Sequence, residues 1–567
     1  MQKVVIIGGV ALGPKAACRF KRLEPESEVT ILEQGEFISY GGCGIPFYIS
    51  GEVSDHLELQ STSFHVVRDV SFFKEAKDVN VLTKIKALKI DRENKRVKAL
   101  NLKTNKEISF EYDKLVLATG SKPRRLGLKG ENLNNVFYVK GLEDAILIRQ
   151  NITKGVNKAV VIGAGFIGLE IAEALTDLWG IETSIIECQN QILPGFLSPE
   201  LAQVASHHLK EQGVNLYTQE QVKEIRGNQQ VEKVITNKRE LEADIVIVAP
   251  GVVPNSELAQ QAGLETTAWG GIIVNEFLQT SDPNIYAGGD VIALKNLITG
   301  EYGYFPLGSL ANRQGRIIGS NLAGERKKFK GAVGSFILKL FDLAIAGSGI
   351  TLNKAIALGK KAKSGIAIQF DKAHFYPEKD LTLLELVVDE PSKKILGIQG
   401  ISSNGDSLKA RIDAVASILS FGPTLEDISN LEICYSPPFA AAMDIINVIA
   451  NVTENIVEQK NIGALPKEFF DFVKVALTSK DKIVLDCRGQ DNAKEWLKKY
   501  PQIWLNIPTE ELRKRIHEVP KDKEIMLVCN TGARSYEAQL ILRQNNITNT
   551  KNVIAGMGFL TRYGLKI

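Results

Sequence analysis

Apolar residues do not run evenly along this chain. They come as short β-branched strands that stop at glycine and resume with a helical spacing. The first run, Met1 to Ile7, breaks at Gly8-Gly9, and the pattern returns much later. KVVIIGGVALGPKAA (Lys3 to Ala17) and KAVVIGAGFIGLEIA (Lys158 to Ala172) are each a strand, a glycine turn and the small-residue start of a helix. Each is followed by a second apolar strand ending in an acid, VTILE at Glu33 and TSIIE at Glu187. The pattern predicts two βαβ units of the dinucleotide-binding type. Glycines let the backbone turn tightly and approach a pyrophosphate on the helix N-terminus, and an acid roughly 20 residues on accepts hydrogen bonds from ribose hydroxyls. Gly163, Gly165 and Gly168 complete the G-x-G-x-x-G spacing in the second copy. In the first, Gly8 and Gly13 hold the outer positions and Val10 the middle one. A single such turn fits any α/β protein, whereas two with matched acids point to two nucleotides.

Two further apolar strands run into glycine, DKLVLATGSKPR (Asp113 to Arg124) and TSDPNIYAGGDV (Thr280 to Val291). From about Ala323 to Val457 the pattern is mixed, with strands near Ala344 to Ile350 and Leu381 to Val388. A helix from Ser407 to Ser420 is stopped by Gly422-Pro423. NIGALPK, Asn461 to Lys467, reads as a linker. Beyond it a short α/β module shows a strand ending at Asp486, a strand ending at Cys529 and a helix from about Arg534.

Composition narrows the functional classes. With 567 residues the chain is long enough for three to four domains. Its 44% hydrophobic and 24% charged residues are those of an ordinary globular protein. Lys+Arg 69 against Asp+Glu 66 gives +3, too weak a field for nucleic acid or an acidic membrane to be the main partner. No signal peptide or membrane span is expected, and a cytoplasmic, reducing setting is. The six cysteines and six histidines show neither CxxC pairs nor metal spacing, so no metal site is expected.

Each thiol is then judged by its surroundings. Cys43, in ISYGGCGIPFYISG, would enter a helix N-terminus whose dipole favours the thiolate; a buried structural thiol is the equal alternative. Cys529 opens CNTGARS, a strand end followed by a glycine loop and an arginine starting a helix, a loop that can aim amide hydrogens at sulfur. Cys18, Cys188, Cys434 and Cys487 read as core or near-surface residues of helix and strand patterns. Lys15, Arg19 and Arg22 share one face of the first helix, where they can hold phosphates or simply face water.

Together these segments resemble the flavin-dependent pyridine nucleotide-disulfide oxidoreductases, over residues 1 to about 450. The resemblance implies FAD at Gly8, Gly9, Gly13, Glu33, Thr119, Gly120 and Asp290. It implies NADH at Gly163, Gly165, Phe166, Ile167, Gly168, Glu170, Glu187 and Gly251. One cysteine at position 43, with no second thiol five residues away, is similar to the branch holding coenzyme A-disulfide reductases, NADH oxidases and NADH peroxidases. Ala11 stands where the oxidases and peroxidases carry histidine. GGVALG, PLGSLANRQGRIIG and YSPPFAAAMD resemble the coenzyme A-disulfide reductases. In that subgroup Tyr376 and Tyr435 would reach the active site from the partner subunit, and Lys15, Arg19, Arg22, Ser39 and Asn312 would contact coenzyme A. Gly42 and Met443 depart from the subgroup's asparagine and lysine. The final segment, with DCR at Asp486 to Arg488, resembles a rhodanese, in which Cys529, supported by Arg534, would accept sulfane sulfur.

The expected fold class is α/β. It comprises two Rossmann-like dinucleotide-binding domains for FAD and NAD, an α+β dimerisation domain and a C-terminal rhodanese-like domain. The boundaries are 1–115 and 251–322 for FAD, 116–250 for NAD, 323–458 for dimerisation, 459–472 for the linker and 473–567 for the rhodanese. The expected function is FAD- and NADH-dependent reduction of coenzyme A disulfide, coenzyme A persulfide or polysulfide through Cys43, in a homodimer, with Cys529 delivering sulfur. The alternatives are an NADH oxidase using oxygen and a sulfur-carrier or redox-sensing flavoprotein.

Overall fold

The computed structural model describes residues 1–564 and divides into two compact units. The first takes Met1–Cys188 and Gly213–Ala332, the second Gln189–Gln212 and the chain from Val333 onward.

In the first unit both glycine patterns become parallel sheets. One runs in the order Ile285–Ala287, Lys114–Leu117, Lys3–Ile7, Glu28–Leu32, Asn80–Leu82. The other runs Asn215–Tyr217, Glu182–Ile186, Lys158–Ile162, Ile245–Val248, Val136–Phe137. The central strands KVVII and KAVVI are buried almost throughout, as a sheet covered on both faces requires. The helices Leu12–Leu23 and Phe166–Thr176 begin directly after the glycine turns. The 115/116 boundary needs correcting: it falls inside Lys114–Leu117, which pairs in register with Val4–Ile7. The first sheet also recruits Ile285–Ala287 from far along the chain. The segment that crosses between the sheets, Ser121–Pro123, pairs antiparallel with the returning Val252–Pro254.

The second unit holds an antiparallel sheet ordered Phe336–Leu340, Leu343–Gly349, Ile395–Ser402, Leu381–Asp389, Ala362–Phe370. The helices Gly405–Leu419 and Ile445–Val457 pack on it. A parallel sheet follows, ordered Gly463–Ala464, Thr550–Val553, Glu524–Val528, Lys482–Asp486, Trp504–Asn506. Here the expected linker 459–472 is overturned. Gly463–Ala464 is an edge strand of this last sheet, and Pro466–Ala476 is a helix burying Phe469, Phe470, Phe472 and Val473. The short apolar pieces of NIGALPK hid the strand, because two residues carry no period. No helix of the described residues is long and apolar enough to cross a membrane.

Candidate active site

Gly8 and Gly163 make the same turn for the same reason. Their φ values are +112° and +108°, and a Cβ would lie 2.1 Å from the Ala118 carbonyl oxygen and 2.4 Å from that of Ala249. Each glycine therefore lets one strand end pass under its neighbour. Gly165 differs: φ is ordinary and a Cβ would touch nothing within 4 Å. The open face there leaves backbone accessible to a phosphate at the helix N-terminus.

The two acids support their turns. Glu33 accepts from the Gly9 amide at 2.8 Å and from Gly35 at 2.7 Å, and Glu187, buried, accepts from the Ala164 amide at 2.9 Å. Ser39, at φ +51°, donates its amide to the Gly9 carbonyl at 2.8 Å. Thr119 donates its hydroxyl to Asn255 O at 2.7 Å, and Gly120 O accepts from the Asn255 amide at 2.9 Å. Phe166 and Ile167 open the second turn's helix, and Gly251 follows the strand Ile245–Val248.

Cys43 sits in a 3-10 turn, Gly42–Gly44, leading into the helix Ile45–Ser50. The thiol is exposed, and a methyl on Gly308 would come within 3.7 Å of its sulfur. The 15-residue helix Gly308–Leu322 thus starts against Cys43. The expected lowering by the following helix is not what the structure shows. Desolvation first, then the Glu170 and Asp290 carboxylates, raise the thiol above its ordinary pKa, and only a backbone hydrogen bond opposes them. Ile45–Ser50 is six residues long, and its dipole is correspondingly slight. Glu170, at the second turn, is itself pushed up to about 7 by burial and then by Glu173. Burial also raises Asp290, offset in part by the Ser121 hydroxyl, 3.2 Å away.

Cys529 is almost fully buried at the end of Glu524–Val528. Its sulfur accepts from the Gly532 amide at 3.1 Å and from the Ser535 hydroxyl at 3.2 Å. Arg534 stands in the first turn of the helix Ala533–Gln544. Nearby, Arg488 grips the buried Asp486 with Nε and Nη2 at 2.9 and 2.7 Å, and the Trp504 indole adds a donor at 3.1 Å.

Comparison with known proteins places this geometry. The family model "Pyridine nucleotide-disulphide oxidoreductase" matches residues 2–315, and its dimerisation domain matches 336–445. The chain belongs to the pyridine nucleotide-disulfide oxidoreductases. A CoA-dependent NAD(P)H sulfur oxidoreductase of Pyrococcus furiosus is 35% identical over 80% of this chain and 99% of its own. The solved structure of an NAD-dependent persulfide reductase from A. fulgidus is 37% identical, with a TM-score of 0.92 over 98% of this chain and 99% of that one. That of reduced Bacillus anthracis CoADR-RHD is 32% identical, with a TM-score of 0.89 over 99% and 98%.

The oxidoreductase family binds FAD and NAD(P)H, and the residues present fit both. Besides the open Gly165, the Oε1 of the buried Gln314 accepts from the Gly289 amide at 2.6 Å while its Nε2 lacks a partner. Gln314 and Ser121 were not among the expected site residues; a polar side chain inside an amphipathic helix was the only signal for Gln314. The coenzyme A candidates do not stay together as a free set. Arg19 is engaged by the Ser320 hydroxyl at 2.9 Å and Glu325 at 3.4 Å, while Lys15, Arg22 and Asn312 are exposed. Asn312 donates back to Gly308 O at 2.9 Å.

The oxidoreductase's second unit carries both tyrosines. Tyr376 is half-buried under Lys372, and Tyr435 is exposed beside other uncovered apolar residues. Their loops are tied by the buried Arg411–Asp444 pair at 2.7 Å, with Arg411 also donating to Asp371 O and Phe439 O. Cys188 and Cys434 lie in exposed loops rather than in helix or strand.

Proposed function

We propose that this oxidoreductase reduces sulfur–sulfur bonds of coenzyme A disulfide, coenzyme A persulfide or polysulfide, with Cys43 as the thiol that meets substrate. The carrying observation is that one exposed thiol, with no second cysteine in its segment, lies against the start of the helix Gly308–Leu322, with the Glu170 and Asp290 carboxylates acting on it electrostatically. FAD held at Gly8, Gly9, Gly13, Glu33 and Asp290 would supply the electron pair that NAD(P)H provides. The Cys43 thiolate attacks a substrate sulfur and displaces a thiolate, sulfide or shorter polysulfide, remaining as a mixed disulfide with a coenzyme A substrate or as a persulfide with polysulfide. The start of the helix Gly308–Leu322 lies against that sulfur. Glu187 disfavours a 2′-phosphate by charge, which selects NADH.

The same reading assigns the last sheet of the second unit to the rhodanese fold, with Cys529 accepting sulfane sulfur as a persulfide. The Gly532 and Ser535 donors support it by stabilising negative charge on that sulfur. Lys15, Arg22, Ser39 and Asn312 contact coenzyme A. In a homodimer, Tyr376 and Tyr435 act from the partner subunit as proton donors to departing thiolate. The test is anaerobic steady-state NADH consumption. Turnover that requires polysulfide or coenzyme A disulfide and yields sulfide or thiol is expected, and is lost in Cys43→Ser. Equal turnover with oxygen alone would overturn the reading in favour of an oxidase.

A further inference from the structure

One buried thiol has no part in this scheme. Cys487 follows the strand Lys482–Asp486, and Cys529 follows Glu524–Val528. These strands are parallel neighbours in unbroken register, Lys482 opposite Glu524 through Asp486 opposite Val528. The ladder continues one step further, with the Cys487 amide donating to the Val528 carbonyl at 2.9 Å. Cys487 and Cys529 are therefore the next pair across the same two strands. Side chains alternate along a strand, and Ile483, Leu485 and Cys487 lie in one apolar cluster with Ile525, Leu527 and Cys529. The two sulfurs thus leave the sheet on the same face. Neighbouring strands lie about 4.8 Å apart, inside the Cα separation of about 4.4–6.8 Å that a disulfide spans. Both residues are closed to solvent, at 0% and 1% exposure, so a neighbouring side chain can reach Cys529 where a bulky external thiol meets a barrier.

We propose that Cys487 is the resolving thiol of the Cys529 persulfide. The inference rests on the reading of Cys529 as a sulfane-sulfur acceptor. Cys487 attacks the Cys529 sulfur, which Gly532 and Ser535 hold in place. A Cys487–Cys529 disulfide bond forms, and the bond from Cys529 to its outer sulfur breaks. The outer sulfur takes the electron pair and leaves as sulfide, carrying the proton that Cys487 gives up, so one persulfide and one thiol become one disulfide and one hydrogen sulfide. The sulfane sulfur is reduced and the two cysteines are oxidised to the disulfide level. Two equivalents of a compact thiol, small enough to enter where a bulky one cannot, then return both cysteines to thiols and leave as their disulfide. Burial first and Cys529 second push the Cys487 thiol well above its ordinary value, with Arg534 opposing. The attack therefore requires that proton to pass to the outer sulfur of the persulfide as the new bond forms, which also makes hydrogen sulfide the leaving group.

The experiment uses the full chain carrying Cys43→Ser and otherwise native, pre-reduced, anaerobic and without NADH, given one equivalent of thiosulfate, which leaves sulfite rather than sulfide when it hands over its sulfane sulfur. Non-reducing peptide mass spectrometry and released sulfide are read together. That chain should release sulfide and yield a peptide linked through Cys487 and Cys529, lighter by two hydrogens. Adding Cys487→Ser should retain one extra sulfur mass on Cys529 and release little sulfide, and adding Cys487→Ala should do the same, which separates the lost thiol from a local folding defect. If the chain with Cys487 intact holds the extra sulfur as these variants do, with no linked peptide, the resolving role is overturned while the acceptor role of Cys529 stands. If no chain gains sulfur or releases sulfide, both fall together.

Discussion

At the scale of single residues, charge placement around Cys43 sets when its thiolate forms. Glu170 is one of two carboxylates raising that thiol, so Glu170→Gln should move the pH dependence of Cys43 alkylation down by up to about one unit. Iodoacetamide labelling followed by mass spectrometry reads it, and an unmoved or raised profile would remove Glu170 from the site's electrostatics. Glu385 makes a different prediction. Fully buried on the strand Leu381–Asp389, it is pushed up to about 7 by burial, with the Ser198 and Ser364 hydroxyls offsetting part. Between the ordinary carboxyl value and that point the native state binds more protons than the unfolded one, so stability falls as pH rises across the window. Glu385→Gln should therefore raise Tm relative to the native chain at pH 8, with the gain shrinking as pH falls toward 4. Thermal melts across that range check the slope.

At the scale of elements, the two glycine turns separate folding from binding. Gly163→Ala puts a Cβ into the Ala249 carbonyl at positive φ, and should cost about 2 kcal/mol or more of stability. Gly165→Ala meets open space, so Tm should hold while KM for NADH rises about tenfold, the equivalent of about 1.4 kcal/mol. A Tm loss in Gly165→Ala would mean that this glycine serves packing alone. The strand–turn–helix units were legible because several signals coincide in a few residues: β-branched strands, glycines at fixed offsets, and an acid at the second strand's end. The placement of Cys43 and Cys529 was legible for the same reason, each lying beside glycines at an element's edge. What pairs across the fold was not. The Arg19–Glu325 pair joins residues 306 positions apart, and Gln314 meets Gly289 only because its helix packs on the first sheet. The setting of Cys43 inverted the expected shift because desolvation, and after it two carboxylates from distant segments, outweigh a six-residue helix.

At the scale of the whole molecule, the dimerisation domain leaves large apolar side chains in water. Phe439 is 73%, Phe375 66% and Tyr435 52% exposed, more uncovered aromatic surface than a lone subunit ordinarily keeps. Phe439→Glu should shift the assembly toward monomers in light scattering at micromolar concentration and lower turnover with it. A dimer of undiminished strength would place the partner's contact elsewhere. The edge strand Gly463–Ala464 carries a last consequence, for where the chain can be cut. The buried Gln539 amide exchanges two hydrogen bonds of 3.0 Å with the Ile462 backbone and gives another to Thr550 O. Severing the chain at 472 would strip these partners and bare the Thr550–Val553 edge as a template for other chains. An autonomous fragment must therefore begin upstream of Asn461, and a protease that nicks within Asn461–Lys467 would unravel the domain it was meant to liberate.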